Sequence, residues 1–240
     1  MKRVVIIGAS SGIGKEVTRL LLAEGYLLGI AARREDRLQA IQQQAPDRVE
    51  VEAIDVTADD APQRLHALID RLGGMDLFFY VSGIGKQNRT LSPDIELNTV
   101  NTNCMGFTRM IGEAYRYFAE RGEGHIAAIT SIAGTKGLGP APSYSATKAM
   151  QNVYLQSLEQ QANARGLKIR FTDIRPGFVD TDLLNGDFHY PMMLKPEKVA
   201  CQIIDAIKGK RHIKVIDWKY AILTSLWRRL PRTLWRHLKL

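Results

Sequence analysis

Short apolar runs alternate along the chain with longer stretches in which apolar residues recur every three or four positions. The short runs predict β-strands, and the longer stretches predict amphipathic helices. This alternation is typical of parallel strands joined by crossover helices. Strands are predicted at residues 4–7, 27–31, 49–54, 77–81, 125–130, 168–174 and 213–216. The predicted helices include residues 13–23, 63–72, 95–118, 143–164 and 197–208.

Seven parallel strands indicate an α/β fold, a doubly wound sheet with helices on both faces. A chain of 240 residues with 45% hydrophobic content can bury one substantial core, so we expect one main domain over residues 1–217. Ligands of such sheets bind beyond the carboxyl ends of the strands. Six residues that could meet a ligand fall at or just after these ends, namely Gly8, Arg33, Asp55, Gly83, Ser131 and Pro176.

A glycine-rich turn follows the first predicted strand. Gly8, Gly12 and Gly14 separate that strand from a helical pattern. Glycine permits a tight turn and lets backbone N–H groups approach a pyrophosphate, which also gains from the positive end of the helix dipole. A glycine motif alone is weak evidence, but this one has the strand-turn-helix context that dinucleotide binding requires.

A possible proton-transfer set lies further along the chain. Tyr144 and Lys148 are four residues apart at the start of a predicted helix, so they share one face. A free phenol has a pKa of about 10, and a fixed ammonium nearby lowers it. Ser131 could then hold a substrate oxygen whose charge changes during reaction. The Tyr-x-x-x-Lys spacing by itself is also common among solvated helix pairs, so it gains weight only from the glycine turn.

Together these features resemble the short-chain dehydrogenase/reductase family, from the first strand to about Thr181. The resemblance implies a Rossmann-type fold and hydride transfer between a nicotinamide cofactor and a carbonyl or secondary alcohol. It implies four catalytic residues, namely Asn103, Ser131, Tyr144 and Lys148. It implies cofactor contacts at Gly8, Ser10, Ser11, Gly12, Ile13, Gly14, Arg33, Asp55, Val56, Gly83, Tyr144, Lys148, Pro176, Gly177, Val179 and Thr181.

The same resemblance implies a role for each catalytic residue. Ser131 would hydrogen-bond the substrate oxygen, and Tyr144 would donate the proton to it. Lys148 would lower the pKa of Tyr144 and hold the nicotinamide ribose. Asn103 would support a water that links Lys148 to solvent. One departure from the family pattern is the segment Tyr80-Val81-Ser82-Gly83, where most members carry Asn-Asn-Ala-Gly. There we assign only Gly83 to the cofactor.

The end of the second strand favours NADP(H) over NAD(H). An NAD site commonly places a carboxylate at this position, whereas a 2′-phosphate needs cations. Here Ala32 occupies the acidic position and Arg33 follows it. The Arg33 guanidinium suits a phosphate, and Ser10 or Ser11 could add a hydroxyl. The alternative is that Arg33 and Arg34 only solvate a helix start.

The resemblance to the family also implies that residues 178–195 cover the substrate. The segment is rich in apolar side chains, which favours an apolar or bulky substrate, although the same residues could cover the protein's own core or a dimer contact. These side chains are Leu183, Leu184, Phe188, Tyr190, Met192 and Met193. Asp187 and His189 are possible polar contacts, which alone do not identify a ligand.

The C-terminal residues 218–240 form a basic, amphipathic tail. Residues 208–240 carry ten Lys or Arg against one acid, and all three tryptophans of the chain lie there. The tail is too interrupted by charge and proline to span a bilayer. It could lie on an anionic membrane, or its apolar face could pack against the body of the protein or a second copy. No nucleic-acid motif accompanies the charge, so we expect no nucleic-acid partner.

The remaining features of the sequence bear on metal binding, on the cellular compartment and on the oligomeric state. Cys104 and Cys201 show no metal-ligand spacing, so we expect no metal site and a reducing compartment. The first apolar run is too short for a signal peptide. We therefore expect a cytoplasmic protein, with the inner face of a membrane as an open alternative. The family often forms dimers or tetramers, which predicts a homo-oligomer. Two other functions stay open, a cofactor-binding sensor without chemistry and a membrane-associated scaffold.

Overall fold

The computed structural model describes residues 2–184 and 190–238. Within these residues, seven strands form one parallel sheet in the order β3-β2-β1-β4-β5-β6-β7. The predicted α/β fold and its seven-stranded parallel sheet are therefore confirmed. The strands are β1 (Arg3–Ile7), β2 (Leu27–Ala32), β3 (Val49–Ala53), β4 (Leu77–Tyr80), β5 (Glu123–Ile129), β6 (Lys168–Arg175) and β7 (Ile213–Val215).

Helices cover both faces of the sheet. The first group is α1 (Gly12–Ala23), α2 (Glu35–Gln42), α3 (Ala61–Leu72), α4 (Pro93–Val100) and α5 (Phe107–Arg121). The second group is α6 (Pro142–Ala164), α7 (Pro196–Lys208), α8 (Trp218–Trp227) and α9 (Arg232–Trp235). Short 3₁₀ turns occupy Ile132–Thr135 and Asp182–Leu184.

The long helix predicted over residues 95–118 is not uniform. A six-residue π-helical segment, Asn101–Gly106, joins α4 to α5. Hydrophobic periodicity cannot reveal such a segment, because the wider turn changes only the local spacing. The helix α2 was not among the predicted helices. It has eight residues and buries only Leu38 and Ile41, which leaves little periodic signal.

Two apolar layers sandwich the sheet. One layer packs α3, α5 and α6 against the sheet through residues such as Leu65, Phe107 and Leu155. The other packs α1, α2 and α7 through residues such as Val17 and Ile203. The central strands are apolar on both faces, as expected for a parallel sheet that is covered on each side.

The strand order places a crevice next to β1. The strand β1 pairs with β2 on one side and with β4 on the other, so the connections diverge at this point. At such a switch point the loops after the strands separate and leave room for a ligand. The glycine turn after β1 and the Ser82-Gly83 segment after β4 meet here, since Ser82 N donates to Ile7 O at 3.0 Å.

The tail packs partly against the body of the protein. Trp227 Nε1 donates to Thr135 Oγ1 at 2.7 Å, and Trp235 Nε1 donates to Gly137 O at 2.8 Å. The ammonium of Lys136 donates to Leu230 O at 2.8 Å and lies 5.5 Å from the Trp235 ring centroid. Two of the three tryptophans thus anchor the tail on the loop that follows Ser131. No helix in the described ranges is both long and apolar enough to cross a bilayer.

Tyr220 joins the tail to both ends of the segment that was predicted to cover the substrate. Its side chain is buried, and its hydroxyl accepts from Phe178 N at 3.2 Å. The same hydroxyl lies 3.0 Å from the carbonyl oxygens of Pro191 and Met192, to which it can donate. The predicted contacts at Phe188, Asp187 and His189 lie outside the described residues.

Replacing Tyr220 with phenylalanine removes this junction and leaves the partly buried N–H of Phe178 without the phenol oxygen as its acceptor. We expect the free energy of unfolding to fall by about 1–3 kcal/mol. We also expect faster proteolysis within residues 178–195. Urea unfolding and limited proteolysis test both effects, with Tyr26→Phe, in the turn before β2, as the control. Equal stability and equal cleavage rates in the Tyr220 variant would contradict the junction.

Candidate active site

The glycine turn after β1 takes a shape that only glycine tolerates. Gly8 has a φ of +97°, and a Cβ there would lie 2.7 Å from Ser82 N. A Cβ on Gly14 would lie 2.1 Å from Gly8 O. The turn is held to β2 by Gly8 N, which donates to Ala31 O at 2.7 Å. The absence of side chains leaves a backbone cradle beside the first turn of α1, which begins at Gly12.

The start of α1 suits a phosphate group. Its cap residue Ser11 makes no side-chain cap hydrogen bond, and the first turn contains no acidic residue. Backbone N–H groups and the helix dipole at such an end favour an anion. Ile13, also predicted to touch the cofactor, lies in this first turn and packs partly buried against the apolar layer of α1. The residues present therefore fit a dinucleotide pyrophosphate.

A guanidinium reaches the same turn, but it belongs to Arg34. Its Nη2 donates to Ser11 Oγ at 2.8 Å and to Ser10 Oγ at 3.3 Å. Arg34 is the cap residue of α2, and this placement turns its side chain back toward the glycine turn. The sequence prediction gave the phosphate contact to Arg33 and not to Arg34, because the residue at which α2 begins was not predicted.

Arg33 instead faces the end of β3. Partial burial would raise the pKa of Asp55, but hydrogen bonds from Thr57 and the charge of Arg33 outweigh it and lower that pKa. The Asp55 carboxylate accepts from Thr57 N at 2.9 Å. Val56 is buried, and its Cγ2 would lie 2.6 Å from a Cβ on Gly106. Asp55 and Val56 thus lie at the sheet edge, and Gly106 lets the π-helical segment approach them.

Asn103 lies at the centre of the site and is fully buried. Its side-chain Oδ1 accepts from Ile84 N at 2.9 Å, and Nδ2 donates to Ile84 O at 2.7 Å. Nδ2 also lies 3.2 Å from Thr147 Oγ1. Its amide thereby holds the backbone of the loop after β4. A Cβ on Gly83 would lie 3.3 Å from Asn103 Oδ1 and 3.6 Å from Lys148 Nζ, which places Gly83 against the catalytic set.

Ser131 follows β5 and is held by the end of β6. Its Oγ accepts from Ala133 N at 3.1 Å and lies 3.5 Å from Pro176 O. Pro176 O also accepts from Ile132 N at 3.1 Å. These bonds fix the buried serine at the carboxyl edge of the sheet.

The pKa of the Tyr144 phenol is set first by burial. Burial raises the pKa of Tyr144, and the neighbouring Ser131 hydroxyl offsets part of this rise. Lys148 Nζ lies 5.8 Å from the ring centroid and donates its hydrogen bonds elsewhere, so the lowering of this pKa by Lys148 stays a prediction. Tyr144 therefore keeps its proton at neutral pH, which is the state that a proton donor needs. A Cβ on Gly85 would lie 2.6 Å from the Tyr144 ring, so the loop after β4 lies against the phenol.

Lys148 is buried, and no carboxylate within residues 2–184 and 190–238 bonds to it. Its Nζ donates to Ile129 O at 3.2 Å and to Gln151 Oε1 at 3.0 Å. Burial lowers the pKa of Lys148 to about 8, although Asp173 and Cys104 act in the opposite direction. The carboxylate of Asp173 is itself paired with Arg175 at 2.5 Å. Lys148 thus holds its proton less firmly than an exposed lysine, and its charge depends on its few hydrogen-bond partners.

The segment after β6 runs back toward the glycine turn. A Cβ on Gly177 would lie 2.3 Å from the Tyr220 ring, and a Cβ on Gly12 would lie 3.1 Å from Thr181 Cγ2. Val179 is buried and forms a bridge with Leu194. Gly177, Val179 and Thr181 therefore line one path from β6 back to the glycine turn.

The structure thus collects the residues predicted for catalysis and cofactor binding along one edge of the sheet. Their roles stay predictions. Sequence reasoning missed Gln151, Arg34 and Tyr220. Gln151 could have been noticed as a polar residue three positions after Lys148, on a helix face that must be buried. Tyr220 gave no local signal, because its partners are about 30 to 40 residues away.

A parallel sheet with a glycine cradle at its switch point, and a Ser-Tyr-Lys set beside it, defines a dinucleotide-dependent oxidoreductase. Comparison with known proteins agrees. A family model described as short chain dehydrogenase matches residues 2–189. The chain belongs to the short-chain dehydrogenase/reductase family, whose members are NAD(P)-dependent dehydrogenases and reductases.

Relatives cover the whole chain and share its fold. An uncharacterized oxidoreductase of Mycobacterium tuberculosis is 31% identical over 98% of this chain and 96% of its own. The alcohol dehydrogenase of Thermococcus sibiricus, solved with 5-hydroxy-NADP, is 25% identical with a TM-score of 0.80, over 92% of this chain and 97% of its own. The 3-ketoacyl-(acyl-carrier-protein) reductase of Brucella melitensis, solved with NADH, has a TM-score of 0.81 at 21% identity, over 90% of this chain and 96% of its own. Solved relatives thus bind either cofactor.

Proposed function

We propose that this protein is an NADP(H)-dependent oxidoreductase that reduces the carbonyl of an apolar substrate to a secondary alcohol. The observation that carries the proposal is the position of Ser131, Tyr144 and Lys148 at the sheet edge that also holds the glycine cradle. A bound nicotinamide would supply the hydride and accept it in reverse.

The side chains account for the proton. A carbonyl oxygen that receives a hydride at its carbon develops negative charge, and Ser131 would donate a hydrogen bond to that oxygen. Tyr144, protonated at neutral pH, would deliver its proton to the same oxygen. The Lys148 ammonium would then stabilise the phenolate that remains.

The cation cluster supports NADP(H). Ser10, Ser11 and Arg34 form a hydrogen-bonded group beside the glycine turn, and Ala32 leaves no carboxylate at the end of β2. A 2′-phosphate gains from a guanidinium and hydroxyls, whereas a carboxylate would repel it. Arg33 adds a second positive charge, part of which is offset by the nearby carboxylate of Asp55.

The described part of the covering segment supports an apolar substrate. Phe178 packs against Tyr190, with ring centroids 4.8 Å apart. Leu183, Met192 and Met193 are each at least 40% exposed. Exposed methionines and aromatic rings offer adaptable apolar area to a ligand.

The first experiment separates the enzyme from a sensor that binds the cofactor without chemistry. Purified protein is incubated with NADPH or NADH and a panel of ketones that runs from small molecules to sugars, steroids and 3-keto lipids. We expect NADPH consumption with an apolar ketone and a loss of about 10²–10⁴-fold in the Tyr144→Phe variant, because general acid catalysis contributes that much. Consumption that survives in this variant would contradict the role of Tyr144. NADPH binding without turnover on any ketone would favour the sensor.

The second experiment tests the cofactor preference. Replacing Arg33 and Arg34 together with alanine should weaken NADPH binding about 10–100-fold, the equivalent of about 1.5–3 kcal/mol for a charged hydrogen bond. The Kd for NADH should change little, and both are measured by fluorescence titration. Arg37→Ala, an exposed arginine of α2, serves as the control. Equal losses for NADPH and NADH would contradict a 2′-phosphate contact.

The exposed face of α8 supports contact between the tail and an anionic membrane. Trp218, Ile222 and Leu226 are spaced four apart, and their exposed fractions are 66%, 53% and 60%. Arg228 and Arg229 follow directly after α8, both are exposed, and neither pairs with a carboxylate among residues 2–184 and 190–238. A second copy fits this face poorly, because a two-fold interface would bring identical cations together.

We propose that the homo-oligomer forms instead through exposed apolar residues of α4, α6 and the segment between α4 and α5, which are Leu97, Val100, Met105 and Val153.

Vesicle flotation tests the membrane contact. The protein should float with vesicles that contain phosphatidylglycerol and not with pure phosphatidylcholine, since each Lys or Arg near an anionic surface contributes about 1 kcal/mol. A variant with Trp218, Ile222 and Leu226 replaced by serine should stay at the bottom. Leu91→Ser with Ile213→Ser, two exposed residues elsewhere, is the control. Flotation that does not need the three α8 residues would contradict the contact.

A further inference from the structure

A buried amide connects two members of the catalytic set. Gln151 lies on α6 three residues after Lys148, and its side chain is fully buried. Its Oε1 accepts from Lys148 Nζ at 3.0 Å, while its Nε2 donates to the backbone oxygen of Asn103 at 2.8 Å. One side chain therefore bridges the ammonium and the π-helical segment.

This bridge joins Lys148 to the backbone of Asn103 through protein atoms. The side-chain amide of Asn103 is already committed to Ile84 and Thr147, so its backbone oxygen is the group that faces Gln151. An ordered water can leave or rotate, whereas a side chain on the same helix as Lys148 is covalently fixed at its base. The distance between Lys148 and Asn103 is thereby set within the protein.

The bridge also bears on the charge of Lys148. A buried ammonium has lost its water shell, and two acceptors, Ile129 O and Gln151 Oε1, replace part of it. The ionisable groups around it are Tyr144 on the same helix, Cys104 on the π-helical segment and Asp173 on β6. Asp173 is already shared with Arg175 and Thr130. Gln151 is therefore a large part of what favours the ammonium over the neutral amine.

We propose that Gln151 is a positioning residue of the proton-transfer site, which fixes Lys148 against Asn103 and favours its charged ammonium over the neutral amine. The inference rests on the proposed function and deepens it. Gln151 itself touches neither the substrate nor the Tyr144 hydroxyl in this assignment; it acts through Lys148.

The sign of the effect follows from which form Gln151 stabilises. Burial already lowers the pKa of Lys148 to about 8. Gln151→Met keeps similar length and removes the acceptor, so the pKa of Lys148 should fall further. Gln151→Glu places a carboxylate beside the ammonium, so the pKa of Lys148 should rise. If Gln151 only filled space, the two substitutions would not shift the pKa of Lys148 in opposite directions.

The test is a titration of Lys148 in full-length protein labelled with ¹³Cε-lysine, with the resonance assigned by Lys148→Arg. We expect the midpoint to move down by about one pH unit in Gln151→Met, a tenfold change in the protonation equilibrium, and up by a similar amount in Gln151→Glu. Gln160→Met and Gln160→Glu, at an exposed position of α6, are the matched controls. An unchanged Lys148 midpoint in both Gln151 variants would overturn the inference, whatever their stability.

A kinetic measurement separates this inference from the proposed function. Alcohol oxidation with NADP⁺ requires the Tyr144 phenolate, so its rate rises with pH. In Gln151→Met the weaker charge on Lys148 should move that rise to higher pH, whereas loss of packing alone would lower kcat at an unchanged midpoint. Shifted Lys148 titrations in a protein that turns over no carbonyl or alcohol would uphold the bridge and reject the proposed function. Turnover with unshifted titrations would do the reverse.

Discussion

The proposed mechanism depends on the ammonium of Lys148, which is buried and bonds to no carboxylate of residues 2–184 and 190–238. In that mechanism Lys148 has to remain charged to stabilise a phenolate, yet burial opposes charge. A carboxylate bonded to Lys148 would cancel much of the electrostatic effect of the ammonium on the Tyr144 phenol. The fold instead surrounds Lys148 with neutral dipoles, the carbonyl of Ile129 and the amide of Gln151, and leaves Asp173 one step away and paired with Arg175. The π-helical segment and the close approach at Gly83 bring the loop after β4 and Asn103 against this ammonium.

Much of the architecture follows from the sequence because it depends on short-range patterns. Apolar runs identified every strand, and the glycine spacing located the switch point between β1 and β4. Strand ends differ from the prediction by at most two residues, and polar residues such as Glu123 and Arg175 extend the hydrogen-bonded ladder beyond the apolar run. The fold places Ser131, Tyr144 and Lys148 together because the carboxyl ends of parallel strands share one edge.

What the sequence could not reveal depends on contacts between distant segments. The direction of the Tyr144 pKa shift is set by burial, which the Tyr-x-x-x-Lys spacing does not report. Which of two adjacent arginines meets Ser10 and Ser11 depends on the residue at which α2 begins. The packing of Trp227 and Trp235 depends on polar partners in the loop after Ser131, so the composition of the tail alone could not decide which aromatic rings face solvent.

The junction at Tyr220 has a consequence for how specificity could vary within this architecture. Val179 pairs with Leu194, Leu194 N donates to Phe178 O, and Tyr220 holds the same two ends from the other side. These anchors use backbone groups of residues 178–179 and 191–194, so the junction does not depend on which side chains the chain carries between them. The intervening sequence could therefore change to accept another substrate while the proton-transfer groups, which lie on the sheet and on α6, keep their places.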